Sequence, residues 1–272
     1  MTVRFDGLSF RYPGSDHDAL REVSVSLGRG RITLVTGRLG SGCSTLLLAA
    51  AGLAPHVTGG TRQGMVTTLG HDPASVEGRR ALAGRLGLLL PTPWTQLSGM
   101  SYTVWEEVGF GPANLGWSRE RIGEAVQRAL AQVQAQHLES RDPRTLSGGE
   151  LQRVMLAAVT ATDPEVLLLD EPALELDPAG ARLVYDLLPA LAAERTVVVA
   201  STDVDRAADV ANHALLLDRG SLVAEGSPAE VLGSTFAIVM GASTTVAGIA
   251  RSAGMDAPFP VSVAAAVRRL AP

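Results

Sequence analysis

The chain has 272 residues, of which 46% are hydrophobic and 19% charged, and its net charge is −5. This composition suits a globular domain with a sizeable core and excludes a disordered or collagen-like chain. The acidic balance provides no basic field for phosphate backbones, so we expect no nucleic-acid partner. A single cysteine excludes an internal disulfide. No apolar run reaches the roughly 18 residues that a membrane span needs, and the polar N-terminus predicts no secretory signal.

The first third of the chain predicts strands followed by a loop and a helix. Short apolar runs alternate with polar residues from Thr2 to Leu27, which indicates antiparallel strands. A β-branched run from Arg31 to Thr36 then precedes a glycine-rich turn and helix formers from Ser44 to Ala51. The middle of the chain, Leu97 to Arg144, is predicted to be mostly helical, with one helix over 118–136.

The last part of the chain alternates apolar strands with helices, which predicts a parallel sheet covered on both faces. The predicted strands cover 166–169, 196–200 and 214–217, and the helices begin at 150, 178 and 204. Arg219 and Gly220 predict a hairpin turn to an antiparallel edge strand. Apolar positions recur every three or four residues from Val261 to Leu270, which predicts a terminal helix. Because this helix is short, we expect it to pack on its own domain or on a partner's tail.

The segment from Gly37 to Thr45 reads GRLGSGCST and follows a predicted strand. It fits the phosphate-loop pattern G-x-x-x-x-G-K-[ST] except that Cys43 replaces the lysine, and the chain has no lysine at all. Such a loop surrounds phosphates with backbone N–H groups and offers a hydroxyl to Mg²⁺. The candidate nucleotide-binding residues are therefore Gly37, Gly40, Gly42, Cys43, Ser44 and Thr45, with Ser44 also a metal ligand.

Two further segments carry groups that suit phosphoryl chemistry. Asp170 and Glu171 end a buried strand, where Asp170 can reach Mg²⁺ and Glu171 can polarise an attacking water. The segment Leu146 to Glu150 reads LSGGE at the start of a predicted helix and forms a second anion site.

LSGGE followed by LLLDEP, with the phosphate loop upstream, resembles the ATPase subunits of ABC transporters. The resemblance implies an α/β P-loop NTPase fold with an N-terminal antiparallel β subdomain, a helical insertion at about 92–147 and a short C-terminal appendage. It implies ATP and Mg²⁺ as cofactors. It also implies a second ABC ATPase subunit, facing the first head to tail, so that each nucleotide lies between the phosphate loop of one and Ser147, Gly148 and Gly149 of the other. Tyr12 resembles the aromatic that stacks on adenine, and Asp177 lies in a segment that crosses to the partner site.

Two less specific stretches, 95–116 and 252–258, are similar to the ATPases of energy-coupling-factor importers. This resemblance implies a membrane-embedded transporter subunit as a further partner and a peripheral location on the cytoplasmic face of the cell membrane. Ordinary ABC importers remain an alternative. The implied organisation is an ATPase domain over 1–232 and an appendage over 233–272.

Three positions depart from the family pattern. The lysine is Cys43, the glutamine at the end of the strand predicted over 86–90 is Pro91, and the switch histidine is Thr202. Losing one preorganised charge at such a site typically slows reaction by about 10²- to 10³-fold, so this chain's own pocket is predicted to be impaired. Ser147 to Glu150, by contrast, which serve a partner's nucleotide, are intact.

The predicted function is therefore the degenerate half of an importer's ATPase dimer. The alternatives are a scaffold that does not hydrolyse ATP and a homodimeric ATPase with unusual chemistry. Two side chains leave further alternatives open. Cys43 is predicted either to have a lowered pKa at the helix N-terminus or to be inert, and Arg38 either lends its charge to the phosphates or is a solvated loop arginine.

Overall fold

The computed structural model describes residues 1–270 and contains two β-sheets. The smaller sheet is antiparallel, with the order β2-β1-β4, and consists of β1 (Val3–Arg11), β2 (Leu20–Leu27) and β4 (Thr61–Thr68). In β1, Val3 and Phe5 are buried whereas Arg4 is exposed, as expected for a sheet with one covered face. The predicted N-terminal antiparallel subdomain is confirmed.

The larger sheet has the strand order β5-β6-β7-β3-β8-β9. Its strands are β3 (Arg31–Gly37), β5 (Leu86–Leu89), β6 (Val166–Asp170), β7 (Thr196–Ala200), β8 (His213–Asp218) and β9 (Ser221–Gly226). The first five strands in this order pair in parallel, and β9 pairs antiparallel with β8, as the hairpin at Arg219 predicted. Every residue of β6 and β7 is buried, because helices cover both faces of the sheet.

Twelve helices surround these sheets in the described part of the chain. They are α1 (Cys43–Ala50), α2 (Leu53–His56), α3 (Val76–Leu82), α4 (Val104–Asn114), α5 (Arg119–Gln132), α6 (Gly148–Thr160), α7 (Pro178–Ala192), α8 (Val204–Val210), α9 (Pro228–Leu232), α10 (Thr235–Met240), α11 (Thr245–Ser252) and α12 (Val263–Leu270). Leu168 of β6 packs in the core beside α1, whereas Leu167 and Leu169 pack in the core beside α6 and α7. The sheet thus separates two hydrophobic cores.

The predicted helical insertion contains α4 and α5. The helix predicted over 118–136 is shorter in the structure, because α5 ends at Gln132 and Gln134 has φ of 53°, a left-handed value that cannot continue a helix. Strand β5 likewise ends one residue earlier than predicted.

The C-terminal segment contributes to the main core and also exposes an apolar face. Val261 is buried, whereas Val263, Val267 and Leu270 of α12 are 61–70% exposed. Packing of this stripe on its own domain is therefore limited to Val261, and packing on a partner's tail stays a prediction, as does the boundary at residue 233. No helix within residues 1–270 combines the length and apolar character needed to cross a bilayer.

Candidate functional site

The phosphate-loop segment connects the end of β3 to the start of α1. Gly42 precedes α1 with φ of 103°, a conformation that favours glycine. A Cβ on Gly37 would lie 2.2 Å from the carbonyl oxygen of Leu217, so no larger residue fits there. The loop lines a cleft of about 330 Å³. The candidate residues that line this cleft are Tyr12, Gly37, Gly40, Gly42, Cys43, Ser44, Thr45, Asp170, Glu171 and Thr202.

Tyr12 connects the antiparallel sheet to the loop. Its hydroxyl lies 3.1 Å from Oγ1 of Thr45, and its ring packs edge to face on Phe10 with 4.9 Å between the ring centroids. The half-buried ring therefore has a fixed position at the mouth of the cleft, where one face of an aromatic side chain can stack on a planar base.

Cys43 provides a neutral group where a phosphate loop has a cation. The pKa of the Cys43 thiol is raised to about 11, chiefly by burial. A hydrogen bond with Ser41 lowers this pKa, and the negative charges of Asp170 and Glu171 help to raise it. The Sγ of Cys43 lies 3.3 Å from Oγ of Ser41. Of the two alternatives for Cys43, the lowered pKa is therefore wrong, because desolvation and two nearby carboxylates outweigh the helix N-terminus, and the inert thiol stays a prediction.

Ser44 and Asp170 supply oxygen donors in the same cleft, within hydrogen-bond reach of each other. The pKa of Asp170 is raised to about 6, chiefly by burial. A hydrogen bond with Ser44 lowers this pKa, and the charge of Glu171 helps to raise it. Hydroxyl and carboxylate oxygens are the ligands that Mg²⁺ prefers. A divalent cation would also offset the charge of this buried carboxylate, so the two residues fit a magnesium site.

Glu171 is held by the strand beside it. Since β6 and β7 are parallel neighbours, their carboxyl ends meet, and the backbone amide of Thr202 donates to Oε1 of Glu171 at 2.8 Å. The hydroxyl of Ser201 lies 3.3 Å from Oε2 of the same side chain and 2.8 Å from the hydroxyl of Tyr185. No motif in the sequence singles out Ser201 or Tyr185, although Ser201 directly follows a buried strand beside the candidate Thr202.

Arg38 is exposed, as a solvated loop arginine would be, and its side chain also makes a specific contact. Its Nε donates to the carbonyl oxygen of Met240 at 2.8 Å, and a second guanidinium nitrogen lies 3.4 Å from the carbonyl oxygen of Val239. Both carbonyls belong to the last turn of α10. The exposed guanidinium therefore also binds the C-terminal segment, and a contact with phosphate stays a prediction.

Gln96 binds the edge of the larger sheet. Its Oε1 accepts from the amide of Leu90 at 2.6 Å, and its Nε2 donates to the carbonyl of Leu88 at 2.9 Å. These bonds satisfy backbone groups at the end of β5, an edge strand that pairs only with β6. Gln96 thus has a structural role beside Pro91, and neither residue lines the cleft.

Ser147, Gly148 and Gly149 lie at a second cleft, of about 820 Å³, at the N-termini of α6 and α7. Ser147 caps α6 in a reciprocal arrangement with Glu150, whose carboxylate accepts from the amide of Ser147 at 2.9 Å. Asp177 caps α7, since its Oδ1 accepts from the amide of Gly180 at 2.7 Å. Within residues 1–270 the two clefts share no lining residue, so they are separate surfaces of one chain.

Residues 20–174 match the family described as "ABC transporter". The chain belongs to the ABC transporter family and carries its ATPase domain. The predicted P-loop fold is confirmed by the structure of CbiO1 from Clostridium perfringens, described as part of the transporter complex CbiONQ. It superimposes with a TM-score of 0.74 at 26% identity, over 88% of this chain and 93% of that one.

Two curated relatives are ATP-binding proteins of transporters by name. The chain is 40% identical to the nickel import ATP-binding protein NikO of Rhodobacter capsulatus over 86% of this chain and 93% of the relative. It is 36% identical to the energy-coupling factor transporter ATP-binding protein EcfA2 of Methanospirillum hungatei over 84% of this chain and 56% of the relative. Other relatives are longer still, and this chain spans as little as 37% of their length.

Proposed function

We propose that the chain is the ATP-binding subunit of an energy-coupling-factor type importer and forms the degenerate half of its ATPase dimer. One asymmetry carries this proposal. The cleft at Ser147 has its capped helix and both glycines, whereas the phosphate loop presents the neutral thiol of Cys43 in place of a cation. The name of NikO supports import as the direction of transport, and the name of EcfA2 supports the energy-coupling-factor type.

The two separate clefts support a second ABC ATPase subunit as a partner. One chain offers a phosphate loop on one surface and a second helix N-terminus on another, and a nucleotide held between two such surfaces needs two subunits. In this arrangement Ser147, Gly148 and Gly149 face the partner's nucleotide.

The helical insertion supports a further, membrane-embedded partner. Trp94, Met100 and Tyr102 precede α4 and are 45%, 73% and 75% exposed. Exposed aromatic and methionine side chains are typical of protein interfaces. A transporter subunit docked there would hold the chain on the cytoplasmic face of the membrane.

ATP and Mg²⁺ are the cofactors that the cleft residues fit. Tyr12 would contact the base, the amides of the loop would bind the phosphates, and Ser44 with Asp170 would hold Mg²⁺, which neutralises phosphate charge. The carboxylate of Glu171, fixed by the amide of Thr202, would orient and polarise a water. Without a cationic side chain at residue 43, charge developing on the phosphate is poorly stabilised, so we expect slow turnover in this pocket.

The same thiol favours one alternative, a scaffold or regulatory subunit that binds its partners without hydrolysis. A homodimeric ATPase is the other alternative, and it requires turnover by the purified chain alone.

The experiment is the steady-state ATPase rate of the complex purified from native membranes and reconstituted. Ser147→Arg is expected to abolish hydrolysis, because the bulky cation blocks the approach of the α6 N-terminus to the partner's nucleotide. Glu171→Gln is expected to have a much smaller effect, because its pocket already lacks a cation. Equal loss from both substitutions would contradict the degenerate half, and unchanged ATPase and transport in Ser147→Arg would favour the scaffold.

A further inference from the structure

Two polar anchors attach the C-terminal segment, one to the phosphate loop and one to α8. The first is Arg38, in the loop itself, which donates to the carbonyls of Val239 and Met240 at the end of α10. A cation at a helix C-terminus is favourable, since the last carbonyls there lack helical partners.

The second anchor joins α11 to α8. The backbone amide of Thr245 donates to Oδ1 of Asp205 at 2.7 Å, and its hydroxyl donates to Oδ2 at 2.6 Å. Asp205 lies in the first turn of α8, directly after the segment with Thr202, which lines the cleft. Both bonds are charge-assisted and therefore stronger than neutral ones.

The chain between the anchors is short and well packed. Met240 and Ala242 are buried in the main core, and Thr244 is 2% exposed, with its hydroxyl accepting from the amide of Ala247. The amide of Ala242 donates to the carbonyl of Ala237 at 2.9 Å, which fixes the turn after α10. A six-residue segment, 240–245, thus connects the phosphate loop to the start of α8, with Met240, Ala242 and Thr244 buried along it.

We propose that segment 240–245 is a brace that positions the phosphate loop, with Arg38 as the positioning residue at one end and Asp205 at the other. The brace substitutes for a loop cation in organising the loop, because it holds the loop backbone in place when residue 43 carries no charge. Its effect on nucleotide affinity rests on the proposed function, whereas its effect on the loop backbone does not.

The test uses the full chain with Arg38→Gln, Asp205→Ala and the double variant, with hydrogen exchange followed at the amides of Ser41 and Ala242. Both amides are hydrogen-bonded in the structure. Arg38→Gln is expected to speed exchange at Ala242, and Asp205→Ala to speed it at Ser41, in the phosphate loop. Arg31→Gln at the other end of β3 and Asp209→Ala on α8 make the same charge changes at exposed positions and should leave both rates unchanged.

Calorimetric titration with ATP gives the second readout. Each single variant is expected to weaken binding by roughly 3- to 10-fold, and the double variant by less than the product, since either change opens the same brace. Arg38→Lys, which keeps a donor, should recover part of the affinity. Weakening by Arg38→Gln but not by Asp205→Ala would mean a direct phosphate contact and overturn the brace. Unchanged exchange at Ser41 in Asp205→Ala would overturn the brace, whether or not the wild-type chain binds ATP. Absence of ATP binding by the wild-type chain would count against the proposed function alone.

Discussion

The side-chain amide of Gln152 donates a hydrogen bond of 3.1 Å to the backbone carbonyl of Pro172. Gln152 lies in α6, the helix that begins at the second cleft, and Pro172 directly follows Asp170 and Glu171 at the first. Gln152 is fully buried, and its Oε1 has no hydrogen-bond partner within the described part of the chain. One buried bond therefore connects the helix that begins at the second cleft with the chain segment that carries Asp170 and Glu171 at the first.

Gln152→Glu is expected to destabilise the fold, because it places a buried carboxylate beside the carbonyl oxygen of Pro172, where neither group can donate a hydrogen bond. We expect a loss of roughly 1–3 kcal/mol in the free energy of unfolding at pH 7. Protonation at low pH should restore part of it, since the acid can donate to Pro172. Gln152→Met has a similar volume and removes an unsatisfied acceptor together with one bond, so its unfolding free energy should change less. Urea unfolding at pH 5 and pH 7 compares the two, and an equal loss for both would contradict the role of the buried amide.

Gly37→Ala should be far more damaging than Gly40→Ala, although both lie in the phosphate loop. At Gly37 the added Cβ meets a backbone carbonyl on the adjacent strand, which cannot move aside, and we expect a cost of roughly 3 kcal/mol. At Gly40 no atom lies within 4 Å, and the cost comes only from φ of +80°, about 1 kcal/mol. Thermal unfolding followed by circular dichroism measures both, and comparable melting temperatures would contradict the clash.

The thiol of Cys43 should react slowly with iodoacetamide at neutral pH. Its pKa of about 11 lies above the ordinary value of 9.0, so the folded chain holds almost no thiolate until strongly alkaline pH. Because Cys43 is the one cysteine, the same chain unfolded in guanidinium serves as the control. In the unfolded chain the alkylation rate should rise with pH with a midpoint near 9. The pKa of Cys43 is higher in the folded chain than in the unfolded chain. The stability that the neutral thiol contributes is therefore present below pH 9 and is lost as the pH rises from 9 to 11. A folded-state midpoint below 9 would contradict this.

Cys43→Lys is expected to strengthen ATP binding by the isolated chain by about tenfold, the effect of one charge-assisted hydrogen bond to a phosphate. Asp170 and Glu171, which disfavour a thiolate there, would instead stabilise the ammonium group. Cys43→Ser is the matched control, since it keeps a small neutral group, and it should bind ATP as the wild type does. Calorimetry decides between the two. An equal affinity for all three proteins would mean that the loop amides alone set the binding.

The sequence predicts those parts of the molecule whose causes are local. The buried strand β6 and the helix α7 follow from apolar periodicity, and the loop from its glycines. The end of α5 was misplaced, because one left-handed backbone at Gln134 is invisible in a periodic pattern. The pKa of Cys43 and the partner of Arg38 depend on groups brought in by distant strands and by the C-terminal segment, so no local pattern could predict them.

The bond from the backbone amide of Thr202 to Glu171 makes the position of the carboxylate independent of the side chain at residue 202. An amide proton survives replacement by any residue except proline. Residue 202 can therefore lose or regain an imidazole in a single substitution while Glu171 remains in place. The histidine that the family resemblance predicts and the threonine found here are thus interchangeable as far as the position of Glu171 is concerned.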